Sequence, residues 1–191
     1  MFEDEATFGR ISDCRRCWCR FPQRPLVRKM ISRQYTYVFG AVSPLDGQFD
    51  TLLLPQVNAT CMQLFLDEVA QRHSQDNIIM VLDGAGWHTA HDLIAPPNMK
   101  LLKLPPYSPE LNPVEHLWDE LREKHFHNRI FASLNAVEQH LCEALSAFEQ
   151  DAERIKSICA WPWIINSVFN ANYNEWRCSV SWIPPPDSDR L

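Results

Sequence analysis

The sequence predicts an α/β fold: a mixed sheet with helices on both faces. Three observations carry that prediction. Two aromatic and β-branched runs, Tyr35–Val42 and Phe49–Leu54, flank a turn containing Pro44, Asp46 and Gly47, which reads as an antiparallel hairpin. A continuous apolar run, Ile78–Leu82, has the pattern of a strand buried on both faces. Between and after these runs, apolar residues recur at helical spacing. With 191 residues and 46% hydrophobic content, the chain is long enough for one domain with a full core.

Taken in order, Phe2–Ile11 reads as a first strand with Phe2 and Phe8 inward, and Ser12–Gln34 as an irregular, charged loop. After the hairpin, Asn58 is a helix N-cap, and Met62, Phe65, Leu66 and Val69 form one packing face. Thr89–Ile94 is expected as a short helix and Met99–Leu104 as a short strand, after which Pro105, Pro106 and Pro109 force an extended loop. From Asn112 the pattern is helical, with Val114, Leu117, Trp118 and Leu121 as one stripe. A further amphipathic helix covers Ser133–Phe148, capped at Ser133, and one more covers Ala152–Ile165, docking through Ile155, Ile158, Trp161 and Ile164. The domain is expected to span residues 1–168. Residues 169–191, which include the string WIPPPDSDR, read as a poorly ordered tail.

The formal net charge of −6 argues against a free-standing DNA binder, because phosphate contacts need Lys and Arg, but it suits a core whose acids are metal ligands. Arg10, Arg15, Arg16, Arg20, Arg24, Arg28, Lys29 and Arg33 crowd the first quarter beside aromatic residues. That mixture reads equally as a phosphate-contacting surface and as a solvated loop. No stretch is apolar enough to span a membrane and the start lacks a secretory pattern, so a cytoplasmic protein is the default. Seven cysteines without a pairing pattern read as reduced thiols. Cys14, Cys17 and Cys19 lack the second ligand pair that a structural zinc needs and read as a cysteine-rich loop.

Three carboxylates stand out. Asp83 ends the buried strand, where open α/β sheets place their chemistry, and Gly84 and Gly86 let the backbone turn there. Glu115 follows Asn112 and Pro113 in a first helical turn, a position that serves equally a cap and a site. Asp4 alternates with Phe2, placing both on one face while Glu3 and Glu5 point the other way. Locally each acid also reads as ordinary: a turn residue, a capping glutamate, an exposed strand end. Glu110 is a rival acid within the proline loop, and Asp119 and Glu123 continue the helix towards solvent, within reach of Arg122 or Lys124. His88 and His91 follow Asp83 and His116 adjoins Glu115, while Trp87 and Tyr107 read as packing residues. If Asp4, Asp83 and Glu115 converge, they supply hard oxygen ligands for two Mg²⁺ ions roughly 3.5–4 Å apart, an arrangement suited to phosphoryl transfer on nucleic acid.

The strings DEATFGR, VLDGAGWHTA and LPPYSPELNPVEHLW resemble the three acidic motifs of DDE transposases, in the bacterial insertion-sequence branch of the mariner superfamily. The resemblance runs in order from Phe2 to about Trp163, and its third motif is the long, specific one. It implies a ribonuclease H-like fold, with Asp4, Asp83 and Glu115 as the catalytic acids holding two Mg²⁺ or Mn²⁺ ions. The implied activity is cutting and joining of DNA at transposon terminal repeats and at target DNA. Trp87 and His88 match the family's Trp-His after the second acid, whereas Gly84 stands where the family commonly has Asn. The family's N-terminal helix-turn-helix domains have no counterpart ahead of the first motif. The implied partners are a second copy of the chain or a separate N-terminal transposase half. The alternative expectation is an inactive or regulatory fragment that binds full-length transposase. A third is a nuclease of the same fold acting on RNA–DNA hybrids, against which the long third motif speaks.

Overall fold

The structure, a computed structural model, describes residues 1–11, 15–16, 18–23, 26, 30–84, 93–106 and 108–170. The strands are β1 (Phe2–Gly9), β2 (Tyr35–Val42), β3 (Phe49–Leu54), β4 (Ile78–Leu82) and β5 (Met99–Lys103). They form one sheet in the order β3-β2-β1-β4-β5. β1 and β2 pair antiparallel, as do β2 and β3, whereas β4 pairs parallel with both β1 and β5. The expected hairpin is therefore present with its predicted bounds. Gly47, at φ 76°, supplies the left-handed position of its turn.

The helices are α1 (Ala59–Arg72), α2 (Val114–Leu121), α3 (Leu134–Glu149), α4 (Ala152–Cys159) and α5 (Pro162–Asn170). Asn58 caps α1 as predicted, its side chain accepting the Cys61 N–H, and Ser133 caps α3 through the Ala136 N–H. One face of the sheet packs Phe39, Ala41, Leu54, Ile78, Met80 and Leu82 against Met62, Phe65, Leu66 and Val69 of α1. The opposite face packs Ala6, Phe8, Val38, Val42 and Phe49 against α2, α3 and α4. This is the mixed sheet with helices on both faces that the sequence predicted.

Local expectations are corrected at three places. The helix expected over Ala152–Ile165 is two helices: α4 ends at Cys159 and α5 begins at Pro162. A proline inside a helix lacks the donor N–H and clashes with the preceding turn, so it starts a new helix instead. Met1–Ala160 forms one compact unit, and α5 belongs to a second that begins at Trp161. Ile79, within the run expected to be buried on both faces, is 42% exposed, because α2 and α3 rest on β1–β3 at the other side of the sheet. The exposed strand end that Asp4 also read as is not found: Asp4 is buried, and so is Glu3 beside it on the strand. Of the short helix expected over Thr89–Ile94 only Leu93 and Ile94 are described, and they are not helical; of the tail expected over 169–191, residues 169–170 belong to α5 and the rest lie outside the described residues. Among the described residues no helix is long and apolar enough to cross a membrane.

Candidate active site

The antiparallel part of the sheet fixes Asp4, and the parallel part brings Asp83 beside it. Phe2 pairs with Val81 in parallel register, so counting two residues on sets Asp4 abreast of Asp83. Neighbouring strands lie roughly 4.8 Å apart. Asp4 shares the α2 face with Phe2, Ala6 and Phe8. Glu115 enters from above, in the first turn of α2, which packs on β1. Asp4, Asp83 and Glu115 line one open cleft of about 380 Å³, whose far wall is the loop of Leu104, Pro105, Pro106 and Pro109.

The start of α2 is built as the sequence suggests. Pro113 holds φ at −66°, and the Asn112 side chain accepts the Val114 N–H at 3.2 Å. Asn112 has a second task that capping does not reveal: its Nδ2 donates to the Glu3 carbonyl at 2.8 Å, inside the protein. Trp118, one turn after Glu115, donates its indole N–H to Asp4 Oδ2 at 2.9 Å.

Burial and like charge dominate the electrostatics. Asp4 is 8% exposed, and its carboxyl is pushed up to about 8 from 3.8. Desolvation is the largest cause, the Glu115 and Glu5 charges add to it, and hydrogen bonds from the Glu5 backbone and Trp118 oppose it. Glu3 is held well above the usual carboxylate range, first by desolvation and then by Glu5, Asp4 and Asp83. The local density of negative charge is what a cation-binding cleft needs and what an empty one resists. Among the described residues no three acidic, histidine or cysteine side chains stand close enough to hold one ion as they are. The donor set is nevertheless oxygen only, which fits Mg²⁺ or Mn²⁺ and not a soft metal.

Glu110, the rival acid, is exposed in a short 3-10 turn, Pro109–Leu111. Asp119 points to solvent and pairs with Arg122 at 3.7 Å. Trp87, His88, His91, Tyr107, Cys14 and Cys17 lie outside the described residues, and Cys19 is an exposed thiol. The sequence did not single out Glu3 as a buried acid, nor the Asn112 and Trp118 contacts to β1. Local pattern gives Trp118 as a stripe residue and Asn112 as a cap.

A mixed five-stranded sheet in the order β3-β2-β1-β4-β5, with helices on both faces and acids of β1, of the end of β4 and of a later helix lining one cleft, has the ribonuclease H-like fold. The model of the DDE superfamily endonuclease family matches residues 1–138, and the chain belongs to that family of enzymes. It is 37% identical over 130 residues to the uncharacterized protein y4pE/y4sA of Sinorhizobium fredii (strain NBRC 101917 / NGR234), covering 68% of this chain and 96% of that protein. Its fold is similar to that of the Mos1 transposase. A pre-cleavage Mos1 transpososome matches with a TM-score of 0.60 at 19% identity over 83% of this chain and 54% of that one. The Mos1 strand transfer complex matches at 0.59 and 20% identity over 82% and 51%. The chain thus spans about half the length of the Mos1 chains it matches.

Proposed function

We propose that this chain is the catalytic domain of a DNA transposase, cutting transposon ends and joining them to target DNA with a divalent metal held by Asp4, Asp83 and Glu115. The observation that carries it is the gathering of these three acids, 79 and 32 positions apart along the chain, in one cleft. The Mos1 paired-end complexes described with Mn and with Mg support the choice of metal, and their transposon-end DNA supports the choice of substrate. The likeness to those structures is one of fold, so the acids of this chain bear the weight of the argument.

When bound, paired divalent ions activate the attacking oxygen and neutralise charge on the leaving one in an in-line displacement at phosphorus. The chain's own groups prepare the site. Asp4 holds a proton up to about pH 8, so loading requires its release and low pH opposes it. Asp83 and Glu115, both half-buried, line the same open cleft as Asp4, which a phosphodiester would enter. Arg15, Arg16, Arg20 and Arg33 in the loop after β1 supply local positive charge in a chain whose net charge is −6.

The test is Mn²⁺- or Mg²⁺-dependent nicking of a duplex carrying the cognate terminal repeat, with a helix-turn-helix partner half supplied. Asp83→Ala and Glu115→Ala should each lower the rate by about 10³-fold or more, since positioning and charge neutralisation are the whole of the catalysis. Nicking by Asp83→Ala at the wild-type rate would reject the assignment. A second reading, a non-catalytic partner of longer transposases, draws on the lack of any ready-made three-ligand cage among the described residues. Calorimetry separates the two, because that reading requires no Mn²⁺ uptake by the wild-type chain.

A further inference from the structure

Trp118 combines a core residue's surroundings with one polar contact that packing does not need. It is 1% exposed, edge-on to Phe8 at a centroid distance of 6.4 Å and tilted against Phe49 at 5.7 Å. Its N–H reaches Asp4 Oδ2 across 114 residues of sequence. The neighbouring strand is shaped for it. Gly40 is the direct β2 partner of Asp4, and a Cβ there would stand 2.5 Å from Trp118 Cη2. One residue back on β1, Asn112 grips the Glu3 carbonyl. The N-terminal half of α2 is therefore fastened to β1 at residues 3 and 4, by side chains before and after Glu115.

We infer that Trp118, admitted by Gly40 and seconded by Asn112, is a positioning residue that occupies Asp4 Oδ2 and dedicates Oδ1 to a divalent cation. The inference rests on the reading of the cleft as a metal site. A carboxylate with two free oxygens rotates and binds an ion in several ways, whereas a fixed donor on one oxygen sets its plane and leaves a single outward ligand atom. An indole suits the task because it is a donor only and carries no charge. Lysine or arginine at this place would repel the cation, and a second carboxylate would compete for it. For packing alone a phenylalanine would serve, without anchoring a buried acid whose desolvation is costly.

The experiment measures Mn²⁺ affinity of the full chain by calorimetry, alongside thermal unfolding. Two variants remove the donor: Trp118→Phe, and 3-benzothienylalanine installed at position 118, in which sulfur replaces the N–H at nearly unchanged ring volume. Both should weaken Mn²⁺ binding by about 10- to 100-fold, while the benzothienyl variant unfolds within a few degrees of wild type. Wild-type affinity in both variants overturns the inference. The ¹⁵N-indole resonance of Trp118 is read in parallel, with and without Asp4→Asn. If the wild-type chain binds no Mn²⁺ while Asp4→Asn shifts that resonance, the metal reading has failed, and the inference with it. An unshifted resonance overturns the contact itself, whatever the chain's affinity for metal.

Discussion

The two walls of the acidic cleft are built on opposite physical plans. The β1–α2 wall is buried: Asp4 is 8% exposed, Glu3 is fully enclosed, and Asn112 and Trp118 tie the helix to the strand by hydrogen bonds inside the protein. The β4–proline wall is open. Asp83 is half-buried, Gly84 is exposed with no atom of the described residues within 4 Å of where a Cβ would stand, and Pro105, Pro106 and Pro109 face solvent. A buried wall keeps its carboxylate in a low dielectric, where a cation is attracted most strongly and the geometry is fixed before it arrives. An open wall admits a long polymer. The contrast teaches that the acids of one site need not share one environment, and that stability and access are assigned to different walls.

The largest way to break this contrast is to empty the buried wall. Trp118→Ala should destabilise the fold by about 3–5 kcal/mol in urea unfolding, through the cavity it leaves among Phe8, Phe49 and Gly40. A loss below 1 kcal/mol would show that the wall collapses freely and is not preformed.

The next effect is a pH dependence confined to the same wall. The unfolded chain loses the Asp4 proton near 3.8, whereas the folded chain keeps it to about 8, so the native state holds more protons in between. Stability of the metal-free protein should therefore fall as pH rises from about 4 to about 8, on the order of 3 kcal/mol between pH 5 and pH 8. Glu3, raised in the same direction, adds to the fall. Asp4→Asn should flatten the profile, and an unchanged slope in that variant would move the burden elsewhere.

Asn112→Ala removes both the cap and the Glu3 contact and should cost about 1–2 kcal/mol. Its effect should be non-additive with that of Trp118→Phe in a double-mutant cycle, since both fasten the same turn. The smallest effect belongs to the open wall. Gly84→Ala meets no atom of the described residues and should change stability by less than about 0.5 kcal/mol. A larger destabilisation would mean that this wall is packed after all.

Much of this architecture was written in local pattern. The strand bounds Tyr35–Val42 and Phe49–Leu54, the Asn58 cap and the α1 stripe all follow from alternation, helical spacing and capping chemistry, which act over a few residues. Pro162 was also visible, and the break between α4 and α5 follows from it once its missing donor is weighed above the apolar spacing around it. The exposure of Ile79 was not visible, because an apolar run records what a residue can bury and not which helix arrives to cover it.

The sequence by itself determined which elements form, which faces are apolar and which acids end or begin them, because propensity, periodicity and caps are short-range. Only the tertiary structure decided that Asp4 is enclosed and held by Trp118, that Glu3 is buried beside it, and that Asp83 and Glu115 complete one cleft with it. The physical reason is that burial and hydrogen-bond partnership belong to pairs. A contact spanning 114 residues leaves no trace in the spacing of either partner's neighbours.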